Sequence, residues 1–307
     1  DTLCTHTRYM QDGILHFAEK LLATFEENIG HLMFTCTGSE ANDLALRMAK
    51  YHTGHEGIIV TSEAYHGNSE LTSGFSPSMG ENSRLGTWVR RVPAPDTYRV
   101  ETGDMGEWLA AQVSDQILDL KRRGQGLAAF VADSLFTSDG IFPNEPGMLE
   151  PVIAVVRSAG GVFVADEVQS GFARTGSRMW GYQRHGVIPD IISLGKPMGN
   201  GYPVAGIALR PELASRFGYD MRYFNTFGGN TVAMAAANAT LEVVQSENLM
   251  ANANQVGAIM LSGLRDLMRE DERIGDVRGT GLYLGVEMVK DRETREPNGP
   301  LALALVN

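Results

Sequence analysis

The sequence is poor in cysteine: Cys4 and Cys36 are its two thiols in 307 residues. Two thiols exclude a disulfide framework, and beside 14 methionines they fit a reducing compartment, so a cytoplasmic location is expected. Positive charge is also scarce. Against 26 Lys and Arg stand 37 Asp and Glu, a net charge of −11. Nucleic acid and anionic membrane are therefore not expected as partners, because binding a polyanion needs a basic surface that displaces its counterions. No apolar run reaches the roughly 18 to 20 residues that span a bilayer, and the opening DTLCTHTRYMQDG lacks the basic-then-apolar layout of a secretory signal. His52 and His55 lack the H-E-x-x-H layout and a third clustered ligand, so no metal site is expected. The chain starts at Asp and stops inside the apolar run PLALALVN, which reads as sequence continuing at both ends.

What is present is enough apolar residue, 43%, to build a sizeable core in one large domain or two. Segment 39–51 places Ala41, Leu44, Ala45 and Met48 at helical spacing. Short apolar or β-branched runs follow at 57–60, 128–133, 162–166, 191–194 and 204–209. Such runs are the pattern of strands buried on both faces, hence of a parallel sheet. Between two of them, 149–158 reads as a crossover helix, which makes the class α/β. Residues 231–244 and 251–269 read as helices, the second with Val256, Ile259, Met260, Leu264, Leu267 and Met268 on its apolar side, and 282–289 as a strand. The change of character near residue 245 suggests a large domain over 1–244 and the start of a smaller one over 245–307.

Several residues have the chemistry of a site, each with a plainer alternative. Thr37-Gly38-Ser39 opens the first helix, where free N–H groups, a glycine and a hydroxyl make a phosphate cup. Ser39 also reads as an ordinary N-cap. Asp166 ends an apolar run, at the strand end that lines the ligand crevice of a parallel sheet, either as a ligand-facing acid or as a cap for the next element. Glu167 beside it reads as the structural partner of an arginine, Arg174 being the candidate. Lys196 follows another run among Gly195, Gly199 and Gly201, and burial there depresses an amine's pKa and frees it for Schiff-base formation. No Walker A spacing surrounds it. Tyr65-His66-Gly67 is either a loop aromatic with a neutral, hydrogen-bonded histidine or a platform for a flat cofactor.

Taken in order, Thr37-Gly38-Ser39-Glu40-Ala41-Asn42, Tyr65-His66-Gly67, the run from Asp166 to Gly176, Ser193-Leu194-Gly195-Lys196 and Asn225-Thr226-Phe227-Gly228-Gly229-Asn230 resemble the motifs of the class III aminotransferases. The resemblance covers nearly the whole chain. It is nearest to the branch with alanine–glyoxylate aminotransferase 2-like proteins and the phospho-lyases of amino-alcohol phosphates. It implies fold type I of the pyridoxal-phosphate-dependent transferases, with a mostly parallel central sheet, helices on both faces and a smaller α+β C-terminal domain. It implies pyridoxal 5'-phosphate as cofactor, Lys196 as the Schiff-base lysine and Asp166 against the pyridine nitrogen. Gly38 and Ser39 would hold the phosphate, Tyr65 would cover one face of the ring and Val168 pack on the other, with Gln169 near the phenolic oxygen and His66 also among the cofactor-binding residues. Thr226 would reach into the site of a second subunit, so a homodimer with a shared active site is implied. The implied reaction carries an amino group from a primary amine or amino acid to a keto acid; elimination of phosphate from a substrate such as ethanolamine phosphate is the alternative. The substrate-carboxylate arginine of the family has no assignable counterpart in this sequence.

Overall fold

A computed structural model of the chain describes residues 4–306. In chain order its elements are α1 (Asp12–Leu22), β1 (His31–Thr35), α2 (Gly38–Thr53), β2 (Gly57–Thr61), α3 (Glu70–Ser73), β3 (Val89–Val92), α4 (Met105–Arg122), β4 (Leu127–Ala132), α5 (Leu149–Ser158), β5 (Val162–Asp166), α6 (Glu167–Ser170), β6 (Ile191–Leu194), β7 (Ala205–Leu209), α7 (Pro211–Asp220), α8 (Thr231–Ser246), α9 (Leu249–Glu270), β8 (Ile274–Thr280), β9 (Tyr283–Asp291), β10 (Glu296–Pro297) and α10 (Gly299–Val306). Seven strands form one sheet in the order β1-β7-β6-β5-β4-β2-β3.

The continuous apolar runs are explained by helices on both faces. Successive side chains of a strand point to opposite faces. Phe130 of β4, Phe163 of β5 and Ile192 of β6 enter one core, against α1, α4, α5 and α8. Their neighbours Val131, Val164 and Ile191 enter the other, against α2 and α7. Every residue of β2, β4, β5, β6 and β7 is buried.

One strand departs from the expected direction. Burial on both faces grouped 204–209 with the parallel strands, yet β7 pairs antiparallel with both β6 and β1. Residues 195–204 hold a single short 3-10 turn, Lys196–Gly199, and lack the crossover helix that would carry the chain back to the same end of the sheet. The carboxyl ends of β1, β2, β4, β5 and β6 therefore face one crevice, and the return through residues 195–204 leaves Lys196 there.

The second sheet runs β10-β9-β8, all antiparallel. Its small core joins Ile274, Val277 and Met288 to Leu261, Leu264 and Met268 of α9. The apolar side expected for this helix is thus only partly packed: Leu264 and Met268 face the sheet, whereas Ile259 is 66% exposed and Val256, Met260 and Leu267 are exposed as well. Arg278 of β8 ties this sheet to the loop between β4 and α5, donating to the Gly140 and Ile141 carbonyls while lying 4.4 Å over the Phe142 ring.

Candidate active site

The crevice narrows to a cavity of about 130 Å³ lined by Gly38, Ser39, Asn42, Tyr65, His66, Gly67, Asp133, Asp166, Val168, Gln169 and Lys196. Eight of the nine residues expected at a cofactor site are among them. The ninth, Thr226, is exposed and lies away from this cavity, with its carbonyl accepting from the Thr7 N–H at 3.1 Å.

The wall from α2 forms differently from the expected N-cap. Thr37, not Ser39, caps the helix, its hydroxyl accepting from the Glu40 N–H at 3.2 Å. Gly38 and Ser39 then sit in the first turn, where no upstream carbonyl reaches their N–H groups. The Ser39 hydroxyl, relieved of capping, donates to Asn68 Oδ1 at 3.0 Å and accepts from the Asn68 N–H at 3.1 Å. Close approach explains two glycines: a Cβ on Gly38 would stand 2.9 Å from Val168 Cγ1, and one on Gly67, whose φ is +138°, 2.6 Å from Ser39 Oγ.

Asp166 closes β5 and is 4% exposed. The cap reading holds, and the side chain also lines the cavity. Oδ1 accepts from the Val168 N–H at 3.1 Å and so caps α6. Oδ2 accepts from Asn42 Nδ2 at 2.8 Å and from His66 Nδ1 at 2.7 Å. Asn42 is itself oriented by Ser193, whose hydroxyl donates to Asn42 Oδ1 at 2.5 Å. The His66 ring stacks on Phe75 at 5.4 Å, and its Nε2 is buried without a partner among the described residues. Oδ1 is thus the carboxylate atom with room to accept one further N–H.

Lys196 is exposed to the crevice, contrary to the burial expected of it. The surrounding protein still depresses its pKa through desolvation, while the charges of Asp166 and Asp133 oppose the shift. Its φ of +23° is a left-handed value that side chains other than glycine adopt at a cost.

Glu167 does not pair with Arg174. It is 1% exposed, with Oε1 accepting from Ser134 Oγ at 2.5 Å and the Tyr182 N–H at 2.8 Å. Oε2 accepts from the Gly181 N–H at 2.7 Å and Ser170 Oγ at 3.0 Å. Burial pushes its carboxyl up to about 7 against these donors. A glutamine here must turn N–H toward one of two backbone N–H groups that cannot rotate away. Glu167→Gln is expected to lower unfolding free energy by about 2 kcal/mol, the scale of an unsatisfied buried donor. Urea denaturation checks this, and an unchanged midpoint refutes it.

Asn42 and Asp133 were not singled out from the sequence. A polar residue beside the apolar stripe of α2 was the available signal for Asn42; for Asp133, it was an acid at the end of a buried run.

The sequence profile described as "Aminotransferase class-III" matches residues 2–304. The chain belongs to the class III aminotransferases. Among its relatives in this family, an ethanolamine-phosphate phospho-lyase homolog of Caenorhabditis elegans is 39% identical over 99% of the chain and 69% of that protein. An alanine–glyoxylate aminotransferase 2-like protein of Drosophila melanogaster is 38% identical over 100% of the chain and 64% of its own length. The solved phospholyase from Arthrobacter in complex with phosphoethanolamine superposes with a TM-score of 0.92 at 39% identity, over 98% of the chain and 72% of that structure. The chain thus spans about two thirds of the length of these class III proteins. Its fold is fold type I of the pyridoxal-phosphate-dependent transferases, and pyridoxal phosphate is the cofactor of the class. The cavity fits that group on its own terms: unpartnered helix N–H groups for a phosphate, a carboxylate oxygen for a ring N–H, a primary amine for an aldehyde, and glycines where a Cβ would close the space.

Proposed function

We propose that the chain carries the active site of a transaminase that moves the amino group of a primary amine or amino acid to a keto acid. The observation behind it is the convergence of the Lys196 amine, the Asp166 carboxylate and the N-terminus of α2 on one cavity. Pyridoxal phosphate, when bound, supplies an aldehyde that exchanges amines and a ring that takes up the electrons of a broken bond. The residues of the chain do the rest. Gly38 and Ser39 hold the phosphate through backbone N–H groups at the positive end of a helix. Asp166 accepts the ring N–H at Oδ1, and Tyr65 and Val168 wall the ring and keep water from its faces. Lys196 would anchor the cofactor and, with its pKa depressed, would take up at Nζ the proton that leaves the amine-bearing carbon of the substrate and give it back on the cofactor side. Thr226 acts in the site of a second copy, so the enzyme works as a homodimer in the cytoplasm, with residues 245–307 beginning its smaller domain.

The phospho-lyase reading rests on a specific observation, the 0.92 TM-score with an enzyme holding phosphoethanolamine. Both readings share the machinery above and differ in the bond that breaks. The test is the visible spectrum of the cofactor-loaded, full-length protein during addition of β-alanine, 4-aminobutyrate, alanine and ethanolamine phosphate. Bleaching by an amine, reversed by a keto acid, is the expected result. A persistent band with release of inorganic phosphate from ethanolamine phosphate moves the assignment to phospho-lyase.

A further inference from the structure

A short hydrogen-bond relay runs from Asp133 through Thr137 to Gln169, its two ends lining the cavity. Asp133 follows β4 directly. Its Oδ1 accepts from the Leu135 N–H at 3.0 Å, and its Oδ2 accepts from the Thr137 N–H at 3.1 Å and from the Thr137 hydroxyl. A hydroxyl has one proton to give. Burial pushes the Asp133 carboxyl up, against the pull of these three donors; in its ionised form it takes the Thr137 proton, so Thr137 Oγ1 can serve its other neighbour only as an acceptor. That neighbour is Gln169, whose Nε2 lies 2.9 Å away. The backbone of Gln169 is held from the opposite side, its carbonyl accepting from the Tyr283 hydroxyl of β9 at 2.8 Å. Among the described residues, no other group engages the Gln169 side chain.

The terminal torsion of a glutamine is broad and roughly two-fold, so a 180° flip exchanges its oxygen for its nitrogen at little intrinsic cost. The side chain lines the same cavity as Asp166 and Lys196. Which end it presents there is therefore a question of hydrogen-bond polarity, and the relay answers it. We propose that Thr137, with its proton committed to Asp133, is a positioning residue that fixes the orientation of the Gln169 amide against the cofactor. This rests on the pyridoxal-phosphate reading above. Tyr283 holds the Gln169 backbone in place but has no influence on which way the amide points. Asp133 acts one step further back, as the acceptor that determines what Thr137 has left to offer.

The test replaces the hydroxyl while keeping the shape. In Thr137→Val the backbone N–H to Asp133 survives and the amide loses its anchor; in Thr137→Ser the hydroxyl remains. The readout is the pH titration of the visible band of the bound cofactor, followed without substrate. Thr137→Val is expected to move the midpoint by about one pH unit, the effect of losing one hydrogen bond that favours a single ionisation state, and Thr137→Ser to titrate as wild type. Gln169→Leu, a change at the cavity wall that leaves β4 untouched, is expected to reproduce the Thr137→Val shift, and the double variant to add nothing to it. A wild-type midpoint in Thr137→Val, or an equal shift in Thr137→Ser, overturns the relay while leaving the cofactor assignment standing. Absence of any visible band in the wild-type protein loaded with pyridoxal phosphate overturns the cofactor reading and the relay together.

Discussion

Replacing Lys196 with alanine is expected to abolish turnover, by about four orders of magnitude or more, as removal of a covalent catalytic group does. The visible band of the bound cofactor is expected to shift at the same time. Lys196 is the one lysine or arginine that lines the cavity among the described residues, so no neighbouring amine stands ready to replace it. Desolvation has already depressed its pKa, in keeping with the nucleophile and proton-carrier role proposed for it. Loss of the side chain removes little packing, because Lys196 is exposed, and alanine inherits the same left-handed φ. The unfolding midpoint should therefore stay close to that of the wild type. Steady-state transamination retained in this variant would sink the assignment.

Asp166→Asn is expected to lower turnover by about 10²- to 10³-fold, the range for losing one preorganised electrostatic group. The asparagine has one favourable orientation. Its oxygen takes the place of Oδ2, where Asn42 and His66 both donate. Its NH2 then falls at the Oδ1 position, facing the Val168 N–H and the cavity. The variant loses the negative charge and presents a donor where the ring nitrogen needs an acceptor. Cofactor affinity is expected to fall much less, since the helix N–H groups and Lys196 remain. Turnover and cofactor dissociation measured on the same preparation check this; unchanged turnover counts against the role of Asp166.

The residues proposed to carry chemistry were legible as candidates because each sits in a local pattern: an acid or lysine at the end of a buried run, a glycine at the opening of a helix. The α/β class was legible for the same reason, since strands buried on both faces and amphipathic helices differ in period. What escaped depends on partners distant in sequence. Glu167 finds Ser134, Gly181 and Tyr182 rather than Arg174, and nothing in its neighbourhood announces those three. The direction of β7 escaped because burial is the same for either direction; the short return through 195–204 decides it. Thr37 displaced Ser39 as the cap because both residue types suit the position and the backbone chooses by where the first helical turn closes.

The hydrogen bonds around Asp166 also bear on how the chain folds. Asn42 and His66 reach Asp166 from 124 and 100 positions away, and Ser193 reaches Asn42 from 151. Contacts of such separation carry a loop-closure cost before they return any stability, so they belong to the slow, late part of assembly. A ligand that recognises the cavity binds the finished sheet and not its precursors, and by mass action it withdraws molecules from the pool still able to open. Cofactor supply during synthesis thereby becomes a determinant of how much folded protein accumulates.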